Sequence, residues 1–288
     1  MKKFLLTFSC CALSVIILAV SQSIAFIAGD ILVSLKIPSY ICMTVSAILY
    51  PLLAYIGIKY IIVRLFRLDL KKIGITKFSL RPVWCITALL LPLAVVTAFI
   101  CMDGNWSVLQ EDTYTKVTTA VDGIVFYSIS AGIVEEMIFR CTIMGIIRKN
   151  YGTKSAVIIP SVLFGAVHII GNSLDLISIV QLVIAGTMVG IMFSLILLES
   201  GSFWNNALVH ALWNMSTIGL LHIGTESSDI AVYTYVLKSK NLLITGGDFG
   251  IESSVIAIVG YVAVSLVAFL MIGKKKEKQN NKTIEQLS

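Results

Sequence analysis

The sequence predicts an all-α, polytopic transmembrane fold of about eight spans with both termini cytoplasmic. Three observations carry that expectation. Hydrophobic residues make up 57% of the chain and charged residues only 13%, about half the charged share of an ordinary soluble domain at roughly 25%. The charges gather in clusters between long apolar runs, and basic clusters alternate along the chain with base-poor ones. The whole of 1–288 therefore reads as a single integral membrane domain of the cell membrane.

The runs are approximately 4–28, 38–63, 83–101, 118–147, 156–171, 176–198, 203–222 and 252–272. A helical crossing takes roughly 20 residues, so the fifth is short and the fourth long enough to tilt or project. The first follows Lys2 and Lys3 as a signal sequence would, and Ser23-Ile24-Ala25 has the small residues of a cleavage site. Apolarity nevertheless continues through Ala28, so an uncleaved helix is expected. Lys59 is near enough to the inner end of the second run to snorkel. Pro51, Pro92 and Pro160 fall in or near runs, where neighbouring helices repair the missing hydrogen bond; a bend at Pro160 would aim the turns carrying His168. Gly186 and Gly190 in the sixth run form a small-residue face, expected to pack inside the protein rather than against a second copy.

An even number of spans places Lys2, Lys3, the 64–82 connection with its Arg64, Arg67, Lys71, Lys72, Lys77 and Arg81, the 148–155 connection and the basic 273–288 tail on one side. The positive-inside rule makes that side cytoplasmic. Segments 102–117 and 223–251 fall opposite, the latter rich in turn residues and expected to be a surface connector with a short apolar element around Ile230 to Leu237. Lys274-Lys275-Lys276 follows an apolar span directly and so reads as an anchor to an anionic bilayer surface; no nucleic-acid partner is expected. Six cysteines without CxxC spacing read as small buried apolar residues.

Against this background Glu135-Glu136-Met137-Ile138-Phe139-Arg140 stands out. Ionisable groups at bilayer depth cost roughly 2.5–3.5 kcal/mol each, so three together need a structural or chemical reason. At about 100° per residue, Glu136 and Arg140 share a face and Glu135 turns away, which makes Glu136–Arg140 a compensating pair and Glu135 the reacting carboxylate. Two later runs carry Phe164-Gly165-Ala166-Val167-His168 and His210-Ala211-Leu212-Trp213-Asn214, each pairing its end residues one helical turn apart. Counting 1.5 Å per residue from the inner boundaries, Glu135 and His168 lie roughly 20 Å deep, His210 roughly 11 Å and Asn214 roughly 17 Å. Asp122, Asn172 and His222 fall at span boundaries, where polarity is ordinary.

A carboxylate with two imidazoles suits the activation of water. Glu135 can take its proton, His168 can position it or bind a metal, and His210 with Asn214 can bind a metal or hold a developing oxyanion. Zinc or another divalent ion and a metal-free, Glu/His-held water both remain open on residue type. Intramembrane Glu and His also occur in transport pathways.

Glu135-Glu136-xxx-Arg140, Phe164-xxx-His168 and His210-xxx-Asn214, in this order and on separate runs, resemble the three motifs of the CAAX-protease and bacteriocin-processing family of membrane proteases, also called Abi. The resemblance covers roughly 120–220, read as the protease-like core. It implies a CAAX-prenyl-endopeptidase-like intramembrane protease in which Glu135 activates water with His168, His210 and Asn214 stabilise the oxyanion or coordinate metal, and Glu136 with Arg140 organises the site. It also implies a membrane-associated peptide or protein as substrate, and links to bacteriocin processing or immunity. Two other classes compete: a noncatalytic immunity or scaffold protein, whose activity would survive loss of Glu135 and His168, and an ion-coupled transporter, which would show Glu135-dependent flux without cleavage.

Overall fold

The computed structural model describes residues 2–287, with side chains through residue 281. It is a largely helical bundle: α1 (Lys2–Ser34), α2 (Ser39–Phe66), α3 (Pro82–Ile100), α4 (Thr113–Val167), α5 (Leu176–Ser200), α6 (Phe203–Asn214) and α7 (Val255–Leu287). Among the described residues six helices are long and apolar enough to cross a membrane, and α6 falls short of that length. The chain is thus a multi-pass membrane protein, as its hydropathy implies. Large apolar side chains such as Phe8 and Ile16 of α1, Ile48 and Leu52 of α2, Leu89 and Leu93 of α3 and Leu266 and Leu270 of α7 remain exposed, the lipid-facing surface of such a bundle. In contrast α6 is sequestered, with Phe203, Val209, His210 and Trp213 all buried. A helix surrounded by protein need not match the bilayer in length.

The fourth and fifth expected runs form one helical stretch, α4, and its break is at Gly152. There φ is 84° and ψ 175°, a conformation open to glycine. Pro160 lies within a helical segment, so the expected bend occurs eight residues earlier. Beyond the break, α4 packs on α5 through the small-residue face. A Cβ on Gly186 would stand 2.4 Å from the Gly165 Cα, and one on Gly190 2.6 Å from the Ser161 Cα. The face is internal, as its spacing suggested.

The fold is not purely helical. Strands β1 (Gly104–Val108), β2 (Leu221–Gly224) and β3 (Tyr233–Leu237) form a sheet ordered β1-β3-β2, antiparallel between β1 and β3 and parallel between β2 and β3. An all-α reading missed it because Tyr233-Thr234-Tyr235-Val236-Leu237 is short, and its antiparallel partner β1 comes from a segment far away in sequence. Tyr235 is buried under the sheet, and its hydroxyl donates to the Met102 carbonyl at 2.7 Å. His222 belongs to this sheet, where burial holds its imidazole below the usual histidine range.

Segments expected on one side of the membrane meet one another. At the basic end Asn150 Nδ2 donates to Thr7 Oγ1 at 2.8 Å, Lys149 Nζ donates to the Phe66 and Arg67 carbonyls, and buried Glu199 gathers Arg81, Lys275 and the Trp84 indole N–H. At the opposite end lie the sheet and the hydrogen bond from the Ser39 amide to the Tyr114 hydroxyl at 2.7 Å.

Candidate functional site

α4 widens where the acids sit. Residues Glu136–Ile143 are π-helical, and Thr142 Oγ1 donates to the carbonyl five residues back, that of Met137. Such turns recur at functional sites because they reorient side chains relative to a regular helix. Both acids reach His210, from different sides. Glu136 Oε1 lies 3.0 Å from Nδ1 of His210, and Glu135 Oε2 lies 3.7 Å from its Nε2.

Glu136 and Arg140 do pair, with Nε to Oε2 at 3.5 Å and both side chains fully buried. The guanidinium rests 4.1 Å from the Phe164 ring centroid and 5.2 Å from that of Phe193, so cation–π contacts support a charge whose nitrogens make no hydrogen bond. Glu136 also accepts from Asn206 Nδ2 at 3.1 Å, and the same amide donates to the Phe193 carbonyl at 2.6 Å. Glu136 is therefore a hub joining α4 to α6, not a partner of Arg140 alone.

Each histidine has one ring nitrogen fixed. His168 Nδ1 lies 2.7 Å from the Phe164 carbonyl, which can only accept, so Nδ1 carries hydrogen. The Glu136 carboxylate oxygen 3.0 Å from His210 Nδ1 favours hydrogen on that nitrogen too. Both imidazoles are thereby left with Nε2 available. His210 stacks on Phe193 with centroids 4.9 Å apart, and Phe164 stands between the two histidines, 4.7 Å from His168 and 6.1 Å from His210. Asn214 commits one amide hydrogen to the Tyr127 carbonyl at 3.0 Å and has a second to offer.

Glu135, His168, His210 and Asn214 line one cavity of about 320 Å³; Glu136 and Arg140 stand behind its wall. The cavity reaches the sheet end, where Asn172, Ile230, Phe249 and Glu252 border it, and none of its lining comes from the basic loops. Asn172, which its boundary position had explained, donates to the His168 carbonyl at 2.9 Å. Asn206 was legible as the preceding step of the four-residue rhythm Asn206–His210–Asn214, whereas Glu252 is the first residue of the last apolar run, where boundary polarity is ordinary. The donor types would suit zinc, yet among the described residues no three His, Cys, Asp or Glu side chains group closely enough to hold a metal ion. In this arrangement they do not form a ligand set.

A multi-pass helical membrane protein with acids and histidines around an internal cavity is thus the class that fold and site define. Residues 118–216 match the family described as Type II CAAX prenyl endopeptidase Rce1-like, and over that third of the chain the protein is homologous to it. The match spans all three motifs and stops before α7. Comparison with curated proteins and with solved structures returns no match.

Proposed function

We propose that the chain is an intramembrane endopeptidase that cleaves membrane-associated proteins or small peptides, prenylated or similarly anchored, through a water activated by Glu135. The observation that carries the reading is the convergence of Glu135, His168, His210 and Asn214 from separate helical segments on one cavity within the bundle. Homology over 118–216 supports the same class of chemistry.

In this mechanism water donates one hydrogen to Glu135 and the other to the free Nε2 of His168, while His210 stands beside the same carboxylate. Glu135 takes one proton as the remaining hydroxide adds to the carbonyl carbon of the scissile peptide. The uncommitted amide hydrogen of Asn214 donates to the oxyanion. Collapse breaks the C–N bond, and Glu135 returns the proton to the leaving nitrogen. Glu136 acts through His210 by fixing its tautomer, while Arg140 and Asn206 hold Glu136 in place. No step passes through a metal.

Eight crossings place both termini and the basic loops in the cytoplasm, if the α4 segments on either side of Gly152 and the sequestered α6 each cross once. The sheet end and the cavity mouth then face outward. Comparing cleavage products of membrane-associated proteins in matched membranes carrying wild type or Glu135→Gln tests the function and identifies the substrate together. Products present with wild type and absent with the variant support it. Identical product sets with both proteins refute it.

A further inference from the structure

The cavity carries a second carboxylate outside the motif core and beyond the family match. Glu252, just before α7, borders it together with Trp213 and Tyr261. Its Oε1 accepts from the Trp213 indole at 2.7 Å and from Thr217 Oγ1 at 2.8 Å. Its backbone carbonyl accepts from the Tyr261 hydroxyl at 3.0 Å. Both side-chain hydrogen bonds fall on one oxygen. Among the described residues Oε2 takes none, and it is not among the buried polar atoms lacking a partner, so it stays accessible on a residue that lines the cavity.

The surroundings fit a cation. Trp213 and Tyr261 meet edge to face with centroids 5.2 Å apart beside this carboxylate, and aromatic rings next to an acid are the usual setting for an ammonium or guanidinium group. Among the described residues the lining includes Glu135 and Glu252 but no lysine or arginine, and Arg140 is spent on Glu136 behind the wall. A peptide presenting a terminal carboxylate near the cleavage point, as a C-terminal CAAX tail does, would meet like charge there without a counterion.

We infer that Glu252 is a specificity-determining residue that selects a lysine or arginine side chain in the peptide bound at this site. The inference rests on the proposed endopeptidase activity for its context, but not for its test. A purely structural Glu252, tying the start of α7 to α6, would give the same two hydrogen bonds and no charge preference.

The test uses the full chain in lipid nanodiscs and a positional series of apolar peptides identical except for one residue, lysine, glutamine or glutamate. Binding is measured to Glu135→Gln protein, which prevents turnover, and cleavage to wild type. Lysine at one position should bind about tenfold tighter than glutamine, the scale of one charge-assisted hydrogen bond, with glutamate weaker still. Adding Glu252→Gln, which keeps an oxygen acceptor for Trp213 and Thr217, should erase the discrimination, and Glu252→Lys should favour glutamate. Equal affinity for the three peptides, which needs no Glu252 variant to observe, overturns the inference, as does a lysine preference that survives Glu252→Gln. Binding preference without cleavage by wild type would instead refute the protease reading alone. Cleavage without charge preference would refute only the role of Glu252.

Discussion

Replacing Glu136 with Gln should cost about 3–5 kcal/mol of stability, the amount seen when one partner of a buried ion pair is removed. At 3.5 Å the Glu136–Arg140 attraction is about 5 kcal/mol at an effective dielectric of roughly 20, consistent with that range. The amide keeps the shape of the side chain and can still accept from His210 or Asn206. What it leaves is a fully buried guanidinium without a counterion. The Phe164 and Phe193 faces already support Arg140 in the wild type, so they offset none of the loss. Were the contact worth no more than an ordinary intramembrane hydrogen bond, the cost would be about 0.6–2 kcal/mol. Reversible unfolding by SDS in mixed micelles separates the two ranges. A Glu136→Gln/Arg140→Met double variant should recover most of the stability, because the orphaned charge is removed and methionine fills the space between the rings. Neither variant should cleave, since His210 has lost its ionised partner. A loss under about 1 kcal/mol for the single variant, or no recovery in the double, would refute this account of the pair.

Gly186→Val should fail differently: its side chain would meet Gly165 backbone, which cannot rotate away, so α4 and α5 must part. Overpacking of this kind costs about 1–3 kcal/mol, and a shift near 1 Å under His168 should lower cleavage about a hundredfold; thermal unfolding and a cleavage assay check both. Asp175 caps α5 by accepting from the Ser178 amide, and the Ser178 hydroxyl together with that amide holds its carboxyl below the usual value. The stabilisation is therefore full above the ordinary carboxylate pKa of about 4 and lost as pH falls through the lower folded value. Asp175→Asn should flatten the acid side of the stability profile, and an unchanged profile would free the cap of that role. Cleavage should survive exhaustive chelation of the purified protein, and activity lost on chelation and restored by a divalent ion would contradict a metal-free water.

Hydropathy made the membrane bundle legible because apolar length is a property of the local chain. The same holds for Gly186 and Gly190, whose spacing alone defines a face. The sheet was not legible, since β3 pairs with β1 more than a hundred residues away and strands of four or five residues leave little periodicity. At the site, motif spacing found the residues that line the cavity, but a fixed helical period separated Glu135 from Glu136. The two acids meet opposite nitrogens of His210, a contact between helices that no local pattern announces. Glu252 was hidden for a third reason: its role depends on α7 returning beside α6, a matter of packing.

The most direct test of the central claim is peptide cleavage by purified Glu135→Gln protein reconstituted in lipid, with unfolding matched to wild type to establish an intact fold. Loss of the general base should lower kcat by about 10²–10⁴-fold while substrate binding persists. Undiminished cleavage by the folded variant would contradict the assignment of Glu135 as the group that activates water.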